Sequence, residues 1–237
     1  MRIKTLTAGI ASAFVLFAFV SAAPAADKYA VDPSHSAVVF AVKHMVISNV
    51  LGSFDKFDAV IMYDPENIEN SSVEVSIDVA SVNTKDEKRD EHLRSADFFD
   101  AGAHPAITFK SEKIKKKGDQ YVAVGALTIR GVSKQIELPF TLNGPITNPW
   151  GQVVMGVEIE FELNRKDYNV KWNKTMDSGG LVVGDDVKVV INLEAKKSSC
   201  ESISGPCQAA KRRAQYNIRR ARYGLELQSS QRVKSFS

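Results

Sequence analysis

Cysteine is nearly absent from this chain: of 237 residues only Cys200 and Cys207 carry a thiol, and both stand near the carboxyl end. Whatever folds upstream does so without a disulfide and without a cysteine nucleophile. Histidine is scarce too, at four residues, and no His-Glu-x-x-His pair occurs. The glycines form neither a Gly-x-Ser-x-Gly elbow nor a phosphate-cradling loop, so the familiar hydrolase and nucleotide-binding constellations are missing. After Val20 no stretch is apolar enough for a helix to cross a bilayer. What is present is ordinary globular material, 44% hydrophobic and 25% charged, which excludes wholesale disorder and suits one large domain or two small ones.

The net charge of +3 is unevenly spread. Residues 1–25 contribute +2 and residues 198–237 contribute +6, which leaves −5 on residues 26–197. A slightly acidic domain therefore carries basic ends, and nothing places nucleic acid on it. Arg2 and Lys4 precede an apolar run from Leu6 to Val20, and Ala23 and Ala25 suit the positions before a cleavage site. That is the pattern of a Sec-type signal peptide over residues 1–25, and it predicts a mature protein exported to the periplasm.

From Val31 to Ala195 the dominant signal is alternation at period two. Val73, Val75, Ile77 and Val79 alternate with smaller or polar residues, and Val153 to Leu163 and Val187 to Leu193 repeat the pattern. Further strands are expected at Ala37–Ile47, Phe54–Tyr63, Ala106–Lys113, Tyr121–Ile129 and Gln135–Leu142, parted by turn residues. The links are too short for crossover helices, so about eight antiparallel strands curling into a barrel or sandwich are predicted. One helical insertion interrupts them: Thr84 and Glu87 read as a capping box for a charged helix over Asp86–Arg94. It runs into Phe98-Phe99, of which at least one should plug the barrel or guard its mouth. Alternation does not tell a filled interior from one with room for a small apolar ligand.

Several motifs recur in order: Tyr29-x-x-Asp32-x-x-His35-Ser36, Phe40-x-Val42-x-His44-Met45, Gly52-x-Phe54-x-x-Phe57, Arg89-Asp90-x-His92-Leu93-Arg94-Ser95-x-Asp97-Phe98-Phe99, Pro105-x-Ile107-x-Phe109 and Gly125-x-Leu127-Thr128-Ile129-x-Gly131. Over Lys28 to Lys197 they resemble the YceI-like family of secreted lipid-binding proteins. The resemblance implies an all-β fold, a single antiparallel eight-stranded lipocalin-like barrel with one short helix, over residues 26–197. It also implies a polyisoprenoid or similar amphiphile, such as a polyprenyl phosphate or isoprenoid quinone, held as cargo without a catalytic cofactor. Asn169 stands where many members place glycine, and asparagine tolerates the left-handed backbone that such a turn requires.

Candidate cavity residues are Phe40, Val42, Phe54, Phe98, Phe99, Phe109 and Phe161 for the tail, with His35, His44 and Arg94 nearer the head. Arg89 and Arg165 join Arg94 as candidates to pair with phosphate, set against plain ion pairs with Asp90, Asp97 or Asp167. His35 and His44 are nine positions apart and point to opposite faces of an unbroken strand, so no metal site is expected from them. Glu158, Glu160 and Glu162 alternate on the wet face and are not read as catalytic. Residues 198–237 match no family pattern. Their alanine-rich stripe among arginines fits either a basic amphipathic helix touching an anionic membrane or a poorly packed extension, and Cys200 and Cys207 fit a small loop or a link between chains. The leading expectation is a periplasmic, non-enzymatic lipid carrier, with a homodimer left open. Its rivals are an envelope stress or structural protein with a filled barrel, and a lipid hydrolase or isomerase.

Overall fold

The computed structural model describes residues 26–118, 120–177 and 180–198; the expected signal peptide, the basic tail and both cysteines lie outside the described residues. Eight staves form an antiparallel barrel, and three of them are broken. β1 (Asp27–Val31) resumes after a 3-10 turn at Pro33–His35 as β2 (Ala37–His44). β3 (Ser48–Phe54) steps over Asp55-Lys56 into β4 (Phe57–Tyr63), and β5 (Ser72–Asp78) passes a 3-10 turn at Val79–Ser81 into β6 (Val82–Asn83). The others are continuous: β7 (Ala106–Lys117), β8 (Gln120–Ile129), β9 (Val132–Thr147), β10 (Val153–Asn164) and β11 (Val183–Lys197).

The ring runs β1-β4-β5-β7-β8-β9-β10-β11 and closes where Tyr29 and Val31 of β1 face Lys197 and Ala195 of β11. The upper half of β11 pairs instead with β2, placing Val187 opposite Val42, Val189 opposite Phe40 and Ile191 opposite Val38. β3 and then β6 extend that side, and α1 (Glu87–Arg94) packs against β6.

An aspartate organises each break. Asp32 accepts from Ser34 N at 3.0 Å and from Lys196 Nζ at 2.6 Å. Asp55 accepts from Ser53 Oγ at 2.9 Å and Asn83 Nδ2 at 2.8 Å, and Asp78 accepts from Ala80 N at 3.0 Å. At Asp32 and Asp78 the short carboxylate satisfies a backbone donor that leaves the ladder, while at Asp55 it ties together the side chains of two neighbouring strands.

The barrel is filled at its closed end, where Tyr29, Ala59, Ile61, Met155, Leu193 and Ala195 form a dense cluster. A second cluster in the middle holds Phe109, Ile77, Leu127 and Leu138, with Phe161 half-buried against it.

The main strands fall where alternation indicated, with two differences. β1 and β3 are strands of their own, and the expected run from Phe54 is broken at Asp55-Lys56. The capping box at Thr84 is corrected: Asp86 caps α1 by accepting from Arg89 N at 2.9 Å. The Thr84 hydroxyl goes instead to Asp90. Asn169 takes the left-handed conformation, φ 60°, as its residue type allowed.

Candidate ligand-binding cavity

Above the middle cluster the barrel is hollow, with a cavity of about 300 Å³. This is the lower end of the size range of small-molecule sites. β2 contributes Val38, Phe40, Val42 and His44, β11 contributes Val187, Val189 and Ile191, and β3 contributes Val50 and Phe54. Period-two alternation explains the choice, since these are the positions that share the inner face. Segment 84–99 forms one side of the mouth through Thr84, Arg89, His92, Leu93, Phe98 and Phe99. Arg165, Tyr168, Val170 and Trp172 continue the wall beside it, with Trp172 packed against His92 and Phe98.

Two aromatic groups shape the space. Phe54 bridges Phe40 and Phe99, with ring centroids 5.7 and 5.8 Å away. His92, Phe98 and Trp172 form a triangle with centroids 4.9 to 5.2 Å apart. Phe98 and Phe99 follow α1 in a turn, not on a strand, and so turn to different neighbours while both line the cavity. Gly52 lies under the Phe40 ring, where a Cβ would collide with it.

The polar part of the wall is basic. Arg89 donates through Nε to Thr84 Oγ1 at 2.7 Å and through Nη2 to Thr84 O at 2.8 Å. Thr84 is held in turn by the buried Asp90, whose Oδ1 accepts from Thr84 N at 2.8 Å and from its hydroxyl at 2.6 Å. Arg165 is 5% exposed and ties the loop together, donating at 2.8 Å to the carbonyls of Gly184, Val170 and Trp172. Its expected ion pair with Asp167 is corrected: Asp185 Oδ1 stands 3.4 Å away, and Asp167 pairs with Lys134. Burial pulls the Arg165 pKa down and pushes the Tyr168 phenol up, but an arginine stays charged at neutral pH.

Of the residues singled out in the sequence, Phe40, Val42, His44, Phe54, Phe98 and Phe99 meet at this cavity. Phe109 and Phe161 belong to the packed middle. Arg94 is outside the wall, and its buried Nε has no hydrogen-bond partner among the described residues. His35 sits in the break before β2, bonded to Asp32 at 2.9 Å, with its side chain 62% exposed. Asp32, His35 and Glu194 bring potential ligand atoms within 4.8 Å of one another. The Lys196 ammonium already holds the Asp32 carboxylate, so the group reads as a pin across the break. Trp172, which the sequence offers as a large inward candidate near a strand end, lines the mouth, whereas Trp150, offered on the same ground, is exposed.

The chain matches the family model for the YceI-like domain over residues 29–195. It is 37% identical over 174 residues to a UPF0312 protein of Pectobacterium atrosepticum, covering 73% of this chain and 88% of that one. A UPF0312 protein of Staphylococcus aureus is 35% identical over 164 residues, covering 69% and 94%. Among solved structures, BcnA of Burkholderia cenocepacia superposes with a TM-score of 0.61 at 27% identity, over 69% of this chain and 98% of that one. The Campylobacter jejuni YceI protein gives 0.56 at 34% identity, over 66% and 90%. A polyisoprenoid binding domain from Saccharophagus degradans gives 0.56 at 16% identity, over 72% and 98%, a likeness of fold alone. With the family model spanning nearly the whole barrel and relatives above 30% identity across it, the chain belongs to the YceI-like family.

Proposed function

We propose that this protein is a periplasmic carrier that shelters the tail of an isoprenoid lipid in the upper half of its barrel, without catalysis. The observation that carries the reading is the hollow itself: about 300 Å³ walled by valine, isoleucine, leucine and phenylalanine in a barrel whose other end is densely filled. An apolar void of this size inside a close-packed protein is costly unless a ligand occupies it. Each methylene moved there from water contributes about 0.8 kcal/mol, so a prenyl chain gains affinity without polar contacts. The export pattern in residues 1–25 supports the periplasmic part.

The test is native mass spectrometry of the mature protein purified without detergent, followed by solvent extraction. A one-to-one mass increment that releases a prenyl lipid is expected. Val42→Trp, which fills the cavity with an apolar group, is expected to abolish the increment while the fold persists. A bare mass that stays bare after incubation with isoprenoid quinones and polyprenyl phosphates overturns the reading. Cell fractionation checks the compartment, with the mature chain expected in the osmotic-shock fluid.

A further inference from the structure

The large exposed apolar side chains among the described residues gather at the two ends of the barrel. Ile146 and Trp150 belong to the β9–β10 hairpin beside the filled base, and Met45, Val46, Ile47 and Leu51 belong to the β2–β3 hairpin beside the hollow. Leu181 joins the second group, because Met45 N donates at 2.9 Å to the carbonyl of Val182 on the loop before β11. His44 and Val182 line the cavity, whereas Met45, Val46 and Ile47 lie just outside its lining.

This tip is built against the chemistry of its own turn. Ile47 N closes the turn on His44 O at 3.2 Å, and both central residues have positive φ, 49° at Met45 and 66° at Val46. Hairpins use Asn-Gly for such a turn, because a β-branched residue resists the left-handed region. Val46 is 73% and Ile47 81% exposed, so their side chains serve neither the core nor the cavity. Apolar groups kept in a strained, solvated turn at the entrance of a cavity serve a surface outside the chain.

The size and charge of the patch say which kind of surface. Five side chains on a convex tip fall far short of the roughly 20 residues a side of a stable protein interface. A few apolar groups flanked by lysines do suffice to seat in the boundary of an anionic bilayer. Lys43 at the base of the hairpin and Lys171 and Lys174 on the neighbouring loop are exposed, and Asp177 is the one carboxylate between Lys171 and Val182. The edge of the mouth is thus locally positive on a domain that is net negative. Resting on the carrier reading above, we propose that the β2–β3 tip and Leu181 dock the open end of the barrel on an anionic phospholipid bilayer. A water-insoluble cargo then passes between membrane and cavity without crossing water.

The experiment is flotation of the mature full chain with vesicles of phosphatidylcholine and of phosphatidylcholine mixed with phosphatidylglycerol. The protein is expected to float with the mixed vesicles and less with the neutral ones. Val46→Asp combined with Ile47→Asp is expected to cut the bound fraction roughly tenfold, since the apolar tip becomes anionic. Aspartate tolerates the left-handed turn and these positions lie outside the cavity lining, so this variant keeps the fold and the mass increment with farnesol supplied in solution. Ile146→Asp combined with Trp150→Asp, at the other end, is expected to float like the wild type. A wild-type protein that stays in solution overturns the proposal, and so does equal flotation with both vesicle types. Unchanged flotation of the β2–β3 variant overturns it as well, because binding then comes from elsewhere, the basic tail included. In each of these cases an intact farnesol increment leaves the carrier reading standing. Absence of that increment in the wild type removes the carrier reading and this proposal with it.

Discussion

Thr84 sits at a junction where one hydroxyl serves two neighbours, donating to Asp90 and accepting from Arg89. Thr84→Val keeps the shape and removes both bonds, leaving the buried Asp90 carboxylate with one partner fewer. A loss of about 1–3 kcal/mol in stability is expected from urea denaturation, and Thr84→Ser should restore most of it. Gly52 offers a second test, because a methyl group there drives the Phe40 ring from its place against Phe54. Gly52→Ala should lower lipid uptake in the extraction assay more than it lowers the melting temperature. Residues of this kind were only half legible in the sequence. Phe40, Val42 and Phe54 follow from the parity of a strand. Thr84 and Arg165 do not, because their partners are set by how a loop folds back, and the spacing from Thr84 to Glu87 mimics a helix cap although Asp86 holds that position.

At the scale of elements the breaks matter most, and they explain where the alternation was misread. β3 is polar and contains Gly52, and β1 is five residues long, so neither carries a strong period-two signal. The aspartates at the breaks also set an acid limit. Hydrogen bonds from Lys196, Ser34 and His35 hold the Asp32 carboxyl well below the usual carboxylate range. Those from Asn83 and Ser53 lower Asp55, and in the turn that follows β4, away from the breaks, those from Asn70 and the amides of Asn67 and Glu66 lower Asp64. A group whose pKa is depressed by folding contributes its full stabilisation above its unfolded value, about 4, and loses it as pH falls through the folded value. The melting temperature should therefore be insensitive to these groups from neutrality to about pH 4 and fall below it. Asp32→Asn should lower the melting temperature at pH 7 and make the acid decline shallower, which thermal melts across pH will show.

For the molecule as a whole, the barrel class was legible because alternation reports one dry face per strand. Whether that face met other side chains or empty space was not, since both require the same apolar residues. The structure divides the two cases along the barrel axis, filled around Met155 and hollow around Val42. Met155→Ala should cost about 2–5 kcal/mol in chemical denaturation, as other large core truncations do, while lipid affinity stays unchanged. A substitution at Val42 should do the reverse. Such separation of stability from binding is expected only if the two ends are physically distinct.

The strand breaks give that separation a dynamic meaning. The β2–β3 hairpin tip holds Met45 and Val46 at φ 49° and 66°, a conformation that valine in particular resists, so unzipping starts there at low cost. An unzipping that runs down from the tip meets the end of its ladder at Asp32 and Asp55, where the next rungs belong to β1 and β4. Amide hydrogens of β2 and β3 should then exchange with solvent through brief local openings. Those of β1, β4 and the lower part of β11 should wait for global unfolding. The breaks act as a ratchet stop, letting the rim breathe while the base stays shut.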